Sequence, residues 1–442
     1  MGKRNWRGGK GGGGGGKRHR GNDGGANKGS WGANDDERTN EQLEAYYKAQ
    51  QIMTEEEWPA FLKAARDQLP STFRISPIGT FAQSMRAKMA ETFANLKVDQ
   101  ADLEEGDDRL EPPKVIPWYP GELAWAMSIS KKALKRTPAL EQFHKYIVAQ
   151  TETGNLTRQE AVSMIPPLFM DVSPNHRVLD MCAAPGSKTS QLLEFVHSAT
   201  AEGEVPTGVL IANDADQDRC SMLVHQMKRI NSPCLMVVNH EGQRLPMLWK
   251  RDTDPASRNK EALKYDRILA DVPCSGDGTM RKNVDVWRKW SANQGIGLHR
   301  LQSQILSRGV EMLEEGGIIV YSTCSMNPAE NESVVAGVLN KFEGQLEIVD
   351  VSADLPDLKR NPGLLTWKVC DKKQTEWFES YEKVPEDQRG GMPPTLFPPP
   401  NAAELHLERA VRVLPHQQDT GAFFICKLRK LASAQKPAEK EG

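Results

Sequence analysis

The sequence lacks the cysteine patterns that mark a disulfide framework or a zinc site. Its seven cysteines are an odd number, and no two of them form a C-x-x-C pair. Disulfide frameworks need even sets of cysteines, and zinc sites need closely spaced ligands. The composition therefore predicts a reducing compartment without a bound metal, and it leaves individual thiols available for chemistry.

Long apolar runs and a strong charge of either sign are also missing. No apolar run approaches the roughly 18 residues that span a bilayer, and the basic, glycine-rich N-terminus has no signal-peptide pattern. The 57 Lys and Arg residues nearly balance 59 Asp and Glu residues, giving a formal net charge of −2. We therefore expect no membrane contact, and any nucleic acid must meet a local positive field.

The chain of 442 residues is long enough for two or three domains. Residues 1–34 are rich in glycine and basic side chains, which predicts a disordered tail. That tail is either a segment that contacts RNA or directs the protein to the nucleus, or it is only a solvated linker. A smaller N-terminal α+β domain is expected over 35–165, a larger domain over 166–430 and a polar tail over 431–442.

Within the smaller domain, residues 69–75 predict a turn into a strand, and the acidic residues 98–114 predict a surface loop. Trp118, Tyr119 and Trp125 form an aromatic cluster that either stacks bases or packs a domain seam; we favour packing. Hydrophobic spacing predicts helices at 41–51, 55–67, 141–151 and 157–165.

Beyond Pro166 and Pro167, short apolar runs alternate with helical patterns, which predicts an α/β fold with a doubly wound, mostly parallel, Rossmann-like sheet. The proline-rich residues 352–404 are expected to wrap this sheet or line a cleft. Strands are predicted at 177–181, 208–213, 234–238, 266–271, 317–322, 346–351 and 422–428. Helices are predicted at 188–197, 216–230, 297–314 and 329–341.

The stretch from Arg177 to Thr189 has the pattern of a nucleotide-binding corner. An apolar strand is followed by the small residues Ala183, Ala184 and Gly186, and then by a helix start. Such a turn brings backbone N–H groups and a helix N-terminus close to a ligand. The spacing matches neither a dinucleotide G-x-G-x-x-G motif nor a P-loop, so the corner by itself does not identify a ligand.

Two acidic residues follow the second strand of this pattern. Asp214 lies at the expected strand tip, where a carboxylate suits a ribose diol, although it can instead cap the next helix. We assign Asp214 to the ribose and Asp216 to the helix cap.

Two cysteines lie at successive strand tips, Cys274 after the strand at 266–271 and Cys324 after the strand at 317–322. If the sheet is wound as in nucleotide-binding folds, these strands are neighbours, and the thiols then face one pocket together with Asp271. A free cysteine is more often a small buried hydrophobe. We apply that interpretation to Cys220, Cys234, Cys370 and Cys426.

The sequence resembles the Sun-type (Nop/Sun) RNA cytosine-5 methyltransferases, most closely the eukaryotic enzymes that modify tRNA. The resemblance covers most of residues 40–430. It rests on Asp-Met-Cys-Ala-Ala-Pro-Gly-Ser-Lys-Thr at 180–189, Asp-Val-Pro-Cys-Ser-Gly-Asp-Gly at 271–278 and Tyr-Ser-Thr-Cys-Ser at 321–325, with further similar segments at 154–167, 281–283 and 416–421.

This resemblance implies a covalent mechanism on cytosine. Cys324 would add to C6, which makes C5 nucleophilic, and Cys274 would assist product release. Asp271 would hydrogen-bond the N3 edge of the base. Lys188 would hold the base and lower a thiol pKa, unless it is only a surface lysine on the first helical turn.

The family also implies S-adenosyl-L-methionine as cofactor and RNA binding by the smaller domain. Asp214 would take the ribose, and Asp271 would lie near the bound cofactor. Glu241 stands where an aspartate usually meets the adenine. The methionine portion would be wrapped by Cys182, Ala183, Ala184, Pro185, Gly186, Ser187 and Lys188.

Reaction at a stacked base requires base flipping. Arg281 and Lys282 are candidate phosphate contacts, unless they are only solvated.

The related tRNA enzymes carry a further C-terminal region, whereas this chain ends at Gly442. We therefore expect this chain to be a fragment, a short form or an incomplete gene model. A missing C-terminal region would affect its affinity for RNA.

The implied enzyme is a monomeric tRNA (cytosine-5-)-methyltransferase in the nucleus or nucleolus, with the cytoplasm as the alternative location. Other candidate functions are the same reaction on rRNA or mRNA, a non-catalytic RNA-binding scaffold on this fold, and a DNA cytosine methyltransferase. In the DNA enzymes the Pro-Cys thiol is the nucleophile.

Overall fold

A computed structural model describes residues 38–78, 81–94, 111–128, 138–198, 204–250 and 261–432. The predicted tail at 1–34, residues 98–110 of the predicted acidic loop and most of the predicted C-terminal tail lie outside these ranges. None of the helices in the described ranges is both long and apolar enough to cross a bilayer.

The N-terminal part of the structure contains a four-stranded antiparallel sheet in the order β2-β3-β1-β4. Its strands are β1 (Ser71–Ile75), β2 (Glu111–Val115), β3 (Ala124–Ser128) and β4 (Leu156–Arg158). Its helices are α1 (Glu41–Gln50), α2 (Trp58–Arg66), α3 (Ala82–Lys88) and α4 (Pro138–Glu152). The first two predicted helices and the strand predicted within 69–75 are confirmed.

Two predictions in this part are wrong. The helix predicted over 157–165 is replaced by β4, a 3₁₀ turn and the short helix α5 (Ile165–Leu168), because β4 pairs with β1. Pro166 and Pro167 lie in the first turn of α5, where a missing N–H costs no hydrogen bond. The loop predicted over 98–114 is wrong at its end, where β2 pairs with β3.

A nine-stranded sheet forms the centre of the larger part, in the order β13-β16-β17-β11-β10-β5-β6-β7, with β12 beside β17. The strands are β5 (Arg177–Asp180), β6 (Val209–Asp214), β7 (Leu235–Asn239), β8 (Leu248–Trp249), β9 (Ala262–Leu263), β10 (Tyr265–Asp271), β11 (Leu313–Thr323), β12 (Leu346–Ile348), β13 (Asn361–Pro362), β14 (Val369–Cys370), β15 (Trp377–Phe378), β16 (Val411–Val413) and β17 (Phe423–Lys430). The pairs β8/β9 and β14/β15 form separate two-stranded sheets.

The helices around this sheet are α6 (Ser187–Val196), α7 (Gln217–Met227), α8 (Asp285–Lys289), α9 (Ala292–Met312), α10 (Glu332–Lys341) and α11 (Pro415–Gln418). Strands β5, β6, β7, β10 and β11 run parallel, and β17 pairs antiparallel with β11. The predicted α/β fold with a Rossmann-like sheet is confirmed, whereas the domain boundaries stay a prediction.

The hydrophobic core covers both faces of the central sheet. Leu179 and Ile268 belong to one buried cluster, and their chain neighbours Val178 and Leu269 belong to the other. Successive strand residues point to opposite faces, so continuous apolar runs mark strands buried on both sides. The parallel pairing of β10 with β5 and with β11 holds the carboxyl ends of these three strands side by side.

The aromatic cluster in the N-terminal part is buried. Trp118, Tyr119 and Trp125 expose 4%, 6% and 2% of their surface. They pack within the hydrophobic clusters of the four-stranded sheet and its junction with the central sheet. The packing interpretation is confirmed, and a base-stacking platform made of these rings is excluded.

Candidate active site at the carboxyl ends of the central strands

The turn between β5 and α6 is held by the neighbouring strand β6. The Ala183 N–H donates to the Asn213 carbonyl at 2.7 Å. Gly186 has a φ of +114°, and a Cβ atom there would stand 2.8 Å from the Leu223 side chain. Glycine is therefore required for both the backbone conformation and the close approach of α7. The small-residue turn predicted from the sequence is present.

Asp214, at the end of β6, holds the same turn. Its carboxylate accepts the Ala184 N–H at 3.1 Å and lies 3.5 Å from the Arg219 guanidinium. The side chain exposes only 5% of its surface, so it forms part of the turn rather than a free surface acid. Asp216 accepts the Arg219 N–H at 2.9 Å, which confirms its assignment as a helix cap.

Asp180, which sequence analysis did not single out, lies beneath the turn. Its Oδ2 accepts the Thr189 hydroxyl at 2.8 Å, and its Oδ1 is buried without a hydrogen-bond partner in the described ranges. Burial raises the pKa of Asp180 to about 7. Burial also raises the pKa of Cys182 well above its usual range, so this thiol keeps its proton at neutral pH.

Glu241 follows β7 at the rim of the sheet. Its side chain is 54% exposed and lies 3.2 Å from Arg244 and 3.3 Å from the Gln243 amide. Glu241 is therefore exposed beyond the end of β7, and its contact with an adenine stays a prediction. The buried Asn213 amide, a second group that sequence analysis missed, ties the carbonyls of Met181 and His240 together at 2.9 Å each.

The structure brings the two strand-tip thiols into contact. The Sγ atoms of Cys274 and Cys324 are 3.3 Å apart, although the residues are 50 positions apart in the chain. The pairing of β10 with β11 causes this, because it sets Asp271 opposite Ser322 in register. Both cysteines are partly exposed, whereas Cys220, Cys234, Cys370 and Cys426 are buried as expected.

Asp271 and Lys188 form an ion pair beside the thiols. Lys188 Nζ lies 2.7 Å from Asp271 Oδ2, while the Ser322 hydroxyl donates to Asp271 Oδ1 at 2.7 Å. The Lys188 side chain is only 12% exposed and its ammonium lies over the Phe423 ring. The surface-lysine interpretation is therefore wrong. Ser322 was not found from the sequence, since serine on a strand carries no distinctive signal.

The charges of this group follow from its burial. Burial disfavours the charge on Lys188, but the adjacent Asp271 carboxylate outweighs that effect and raises the pKa of Lys188. The hydrogen bond with Cys324 and burial raise the pKa of Cys274 well above its usual range. The expected lowering of a thiol pKa by Lys188 is therefore not found at Cys274, which keeps its proton at neutral pH.

Arg281 and Lys282, the two basic residues that follow the loop carrying Cys274, have different environments. The Arg281 side chain has no exposed surface; it donates to the carbonyls of Gln68 and Thr420 and pairs with Asp419 at 2.6 Å. Its prediction as a phosphate contact is wrong, because its side chain is buried and its hydrogen-bond donors are used by these carbonyls and by the Asp419 carboxylate. Lys282 is 67% exposed, 3.9 Å from Glu160, and its phosphate contact stays a prediction.

A family model described as 16S rRNA methyltransferase RsmB/F matches residues 167–429, more than half of the chain. The chain belongs to this family. The tRNA (cytosine(34)-C(5))-methyltransferase of Drosophila melanogaster is 45% identical to this RsmB/F-family chain over 390 residues, which are 87% of the chain and 52% of the fly protein. The chain thus spans about half the length of that relative.

Two further relatives extend the comparison. The tRNA (cytosine(49)-C(5))-methyltransferase of Pyrococcus abyssi is 31% identical over 336 residues, which are 76% of this chain and 85% of that protein. A solved methyltransferase homolog protein from Pyrococcus horikoshii shares the fold, with a TM-score of 0.54, 23% identity and coverage of 85% of this chain and 91% of that one. The resemblance to the Sun-type family is confirmed.

Proposed function

We propose that this chain is an S-adenosyl-L-methionine-dependent RNA methyltransferase that forms 5-methylcytosine in tRNA through a covalent cysteine adduct. The observation that carries the proposal is the pair of thiols at the tips of β10 and β11, with Sγ atoms 3.3 Å apart. One thiol can attack a base while the other lies within reach of the same adduct. Membership of the RsmB/F family supports this reaction.

The turn between β5 and α6 fits S-adenosyl-L-methionine, which supplies an electrophilic methyl group when bound. The turn presents backbone and small side chains, and it carries the orphaned buried oxygen of Asp180 beneath it. Cys182 to Lys188 would wrap the methionine portion, and Asp214 would take the ribose. Glu241 would reach the adenine, and Asp271 would lie near the bound cofactor.

Cys324 is the nucleophile in this proposal. Addition of its thiolate to C6 of cytosine forms an Sγ–C6 bond and makes C5 nucleophilic. Asp271 hydrogen-bonds the N3 edge of the base, and Lys188, paired with it at 2.7 Å, holds the base in place. Once C5 carries the methyl group, loss of its proton to a base and cleavage of the Sγ–C6 bond release the product.

Cys274 assists product release. Its raised pKa keeps a proton on the Cys274 sulfur at neutral pH. This thiol can give that proton to the Cys324 sulfur as the Sγ–C6 bond breaks, and the resulting Cys274 thiolate can accept the C5 proton. The reverse assignment, as in DNA cytosine methyltransferases, requires Cys274 to ionise first. The hydrogen bond that the Cys274 thiol makes to Cys324 and burial both oppose that ionisation.

We propose tRNA as the substrate because the fly and archaeal relatives are named for cytosines in tRNA. Ribosomal RNA is the second candidate, since the family model is named for 16S rRNA. The target base must be flipped out of its stack to reach the thiols. A monomeric enzyme in the nucleus belongs to the same proposal.

The test uses purified protein, methyl-labelled S-adenosyl-L-methionine and transcribed tRNA or 16S rRNA. Wild type, Cys324→Ala and Cys274→Ala are compared for label transfer and for denaturation-stable protein–RNA adducts. We expect Cys324→Ala to lose both transfer and adduct, and Cys274→Ala to accumulate adduct. Accumulation in Cys324→Ala would reverse the two roles.

The RNA arms of the same experiment distinguish the substrate classes. Label in tRNA alone supports the tRNA proposal, while label in 16S rRNA alone replaces it. Binding of RNA without transfer by wild type would favour a scaffold protein, and this result would contradict the proposed activity.

A further inference from the structure

Glu330 lies directly behind the two thiol loops, which are the segments that follow β10 and β11 and carry Cys274 and Cys324. It contacts both of them. Its Oε1 accepts the Ser275 N–H at 2.7 Å, and its Oε2 accepts the hydroxyls of Ser275 and Ser325 at 2.5 and 2.6 Å. Ser275 directly follows Cys274, and Ser325 directly follows Cys324. A single carboxylate therefore joins the two residues that come immediately after the thiols.

Gln302, on α9, strengthens the same junction. Its amide donates to Glu330 Oε1 at 3.1 Å and to the Pro273 carbonyl at 3.0 Å. Pro273 directly precedes Cys274, so the backbone on both sides of this thiol is held. Glu330 and Gln302 both have no exposed surface, which shields these hydrogen bonds from competition with water.

We propose that Glu330 is a positioning residue that fixes the separation and orientation of the two thiols. The inference rests on the proposed function, in which both thiols act on one cytosine. The carboxyl is fully buried behind the loops, so it acts through the two serines and not on the base. Small displacements of reacting groups, on the order of 1 Å, cost about a hundredfold in rate.

Two substitutions separate the hydrogen bonds of Glu330 from its charge. In Glu330→Gln, the amide oxygen can accept from the Ser275 N–H and from Gln302, and the amide N–H groups can donate to the serine hydroxyls. Glu330→Ala removes the charge and all of these contacts. The comparison of the two variants therefore isolates the effect of the hydrogen bonds.

The direct measurement is the rate at which diamide links Cys274 to Cys324, followed by peptide mass mapping of the full chain. Diamide oxidises two nearby thiols to a disulfide and is itself reduced to a hydrazine, so its rate reports thiol proximity without any RNA. We expect Glu330→Ala to react about tenfold more slowly than Glu330→Gln, and Glu330→Gln to react at least as fast as wild type.

Methyl transfer gives the second readout. Glu330→Ala should lower kcat about tenfold or more with little change in KM for RNA, and should accumulate adduct, whereas Glu330→Gln should stay near wild type. Equal diamide rates in all three proteins would overturn the proposal. If wild type transfers no methyl group but the diamide rates differ as expected, the proposed function fails while the positioning role stands.

Two controls cover loss of stability. Glu194→Gln changes another buried glutamate, which pairs with Arg74 instead of with the serines that follow the two thiols, and it should leave the diamide rate unchanged. If Glu330→Ala does not fold, the double variant Ser275→Ala/Ser325→Ala removes both hydroxyl contacts while the carboxyl remains. Slower linking in that variant supports the proposal, and an unchanged rate contradicts it.

Discussion

At the residue scale, the buried carboxyl of Asp180 makes the stability of the protein depend on pH. The pKa of Asp180 is about 7 in the folded protein, compared with an ordinary value of 3.8. The folded state therefore binds more protons than the unfolded state between these values. The stabilisation from Asp180 is complete below pH 4 and is lost as pH rises through about 7.

Asp180→Asn should remove this dependence, because asparagine carries no charge at any of these pH values. The free energy of unfolding of the variant relative to wild type should rise from pH 5 to pH 7 by on the order of 1 kcal/mol per pH unit. Urea unfolding at each pH measures it. Thr189→Val, which removes the hydrogen bond but keeps the carboxyl, should retain the trend; a constant difference for Asp180→Asn would contradict the argument.

Also at the residue scale, substitution of Lys282 tests whether this side chain contributes to a local positive field that binds RNA. Lys282→Ala should weaken binding of all tRNA sequences and reduce the slope of log K against log salt by about 1, because one phosphate contact is lost. Fluorescence titrations at several salt concentrations measure both quantities. Lys289 is equally exposed but pairs with Asp285 at 2.9 Å, so Lys289→Ala serves as the control; an equal effect there would exclude a specific role for Lys282.

At the element scale, helix α1 connects through two tyrosines to the loops that carry Cys274 and Cys324. The Tyr47 hydroxyl donates to the Asp277 carboxylate, which also accepts from the Trp290 indole at 3.1 Å and the Met326 N–H at 2.8 Å. The Tyr46 hydroxyl donates to the Asn327 amide oxygen at 2.8 Å. A helix 230 residues away from the first thiol loop in sequence thus supports both loops.

The two tyrosines differ in the charge of their acceptors. Tyr47→Phe should lower the free energy of unfolding by about 2 kcal/mol, because it removes a donor to a buried carboxylate, and Tyr46→Phe by about 1 kcal/mol, because its acceptor is neutral. Urea denaturation of both variants gives the comparison. A larger loss for Tyr46→Phe would show that the carboxylate is not the main partner of α1.

At the scale of the whole molecule, a buried ion pair joins the two sheets. Arg74, on β1 of the four-stranded sheet, pairs with Glu194 on α6 beside the central sheet, and neither side chain exposes more than 1% of its surface. Arg74 also donates to Gln159 at 2.7 Å and to Ser190 at 2.6 Å. The connection reaches the helix that follows the small-residue turn after β5.

The losses from removing the two members of this pair should not add. Arg74→Ala should destabilise the protein by about 3–5 kcal/mol, since it leaves a buried carboxylate unpaired. Arg74→Ala/Glu194→Ala should lose clearly less than the sum of the two single variants, with a coupling of about 2 kcal/mol. Additive losses in a double-mutant cycle of unfolding free energies would show that the sheets are not coupled through this pair.

Sequence analysis was most accurate where local patterns decide the structure. Apolar runs with small-residue turns located the central strands, and the helices at 41–51 and 216–230 followed from hydrophobic spacing. It was wrong over 157–165, where pairing of β4 with β1 overrides helical spacing. It was also wrong at Arg281, because a basic residue in a loop gives no sign that it will be buried.

The sequence by itself determined most of the elements, the α/β class and the identity of the residues at the strand tips, because these depend on periodicity and on residue chemistry along the chain. Only the tertiary structure decided that Cys274 and Cys324 are 3.3 Å apart and that Glu330 joins their loops. Those contacts depend on strand order and register. Local sequence specifies neither of them, because both arise only when distant parts of the chain pack together.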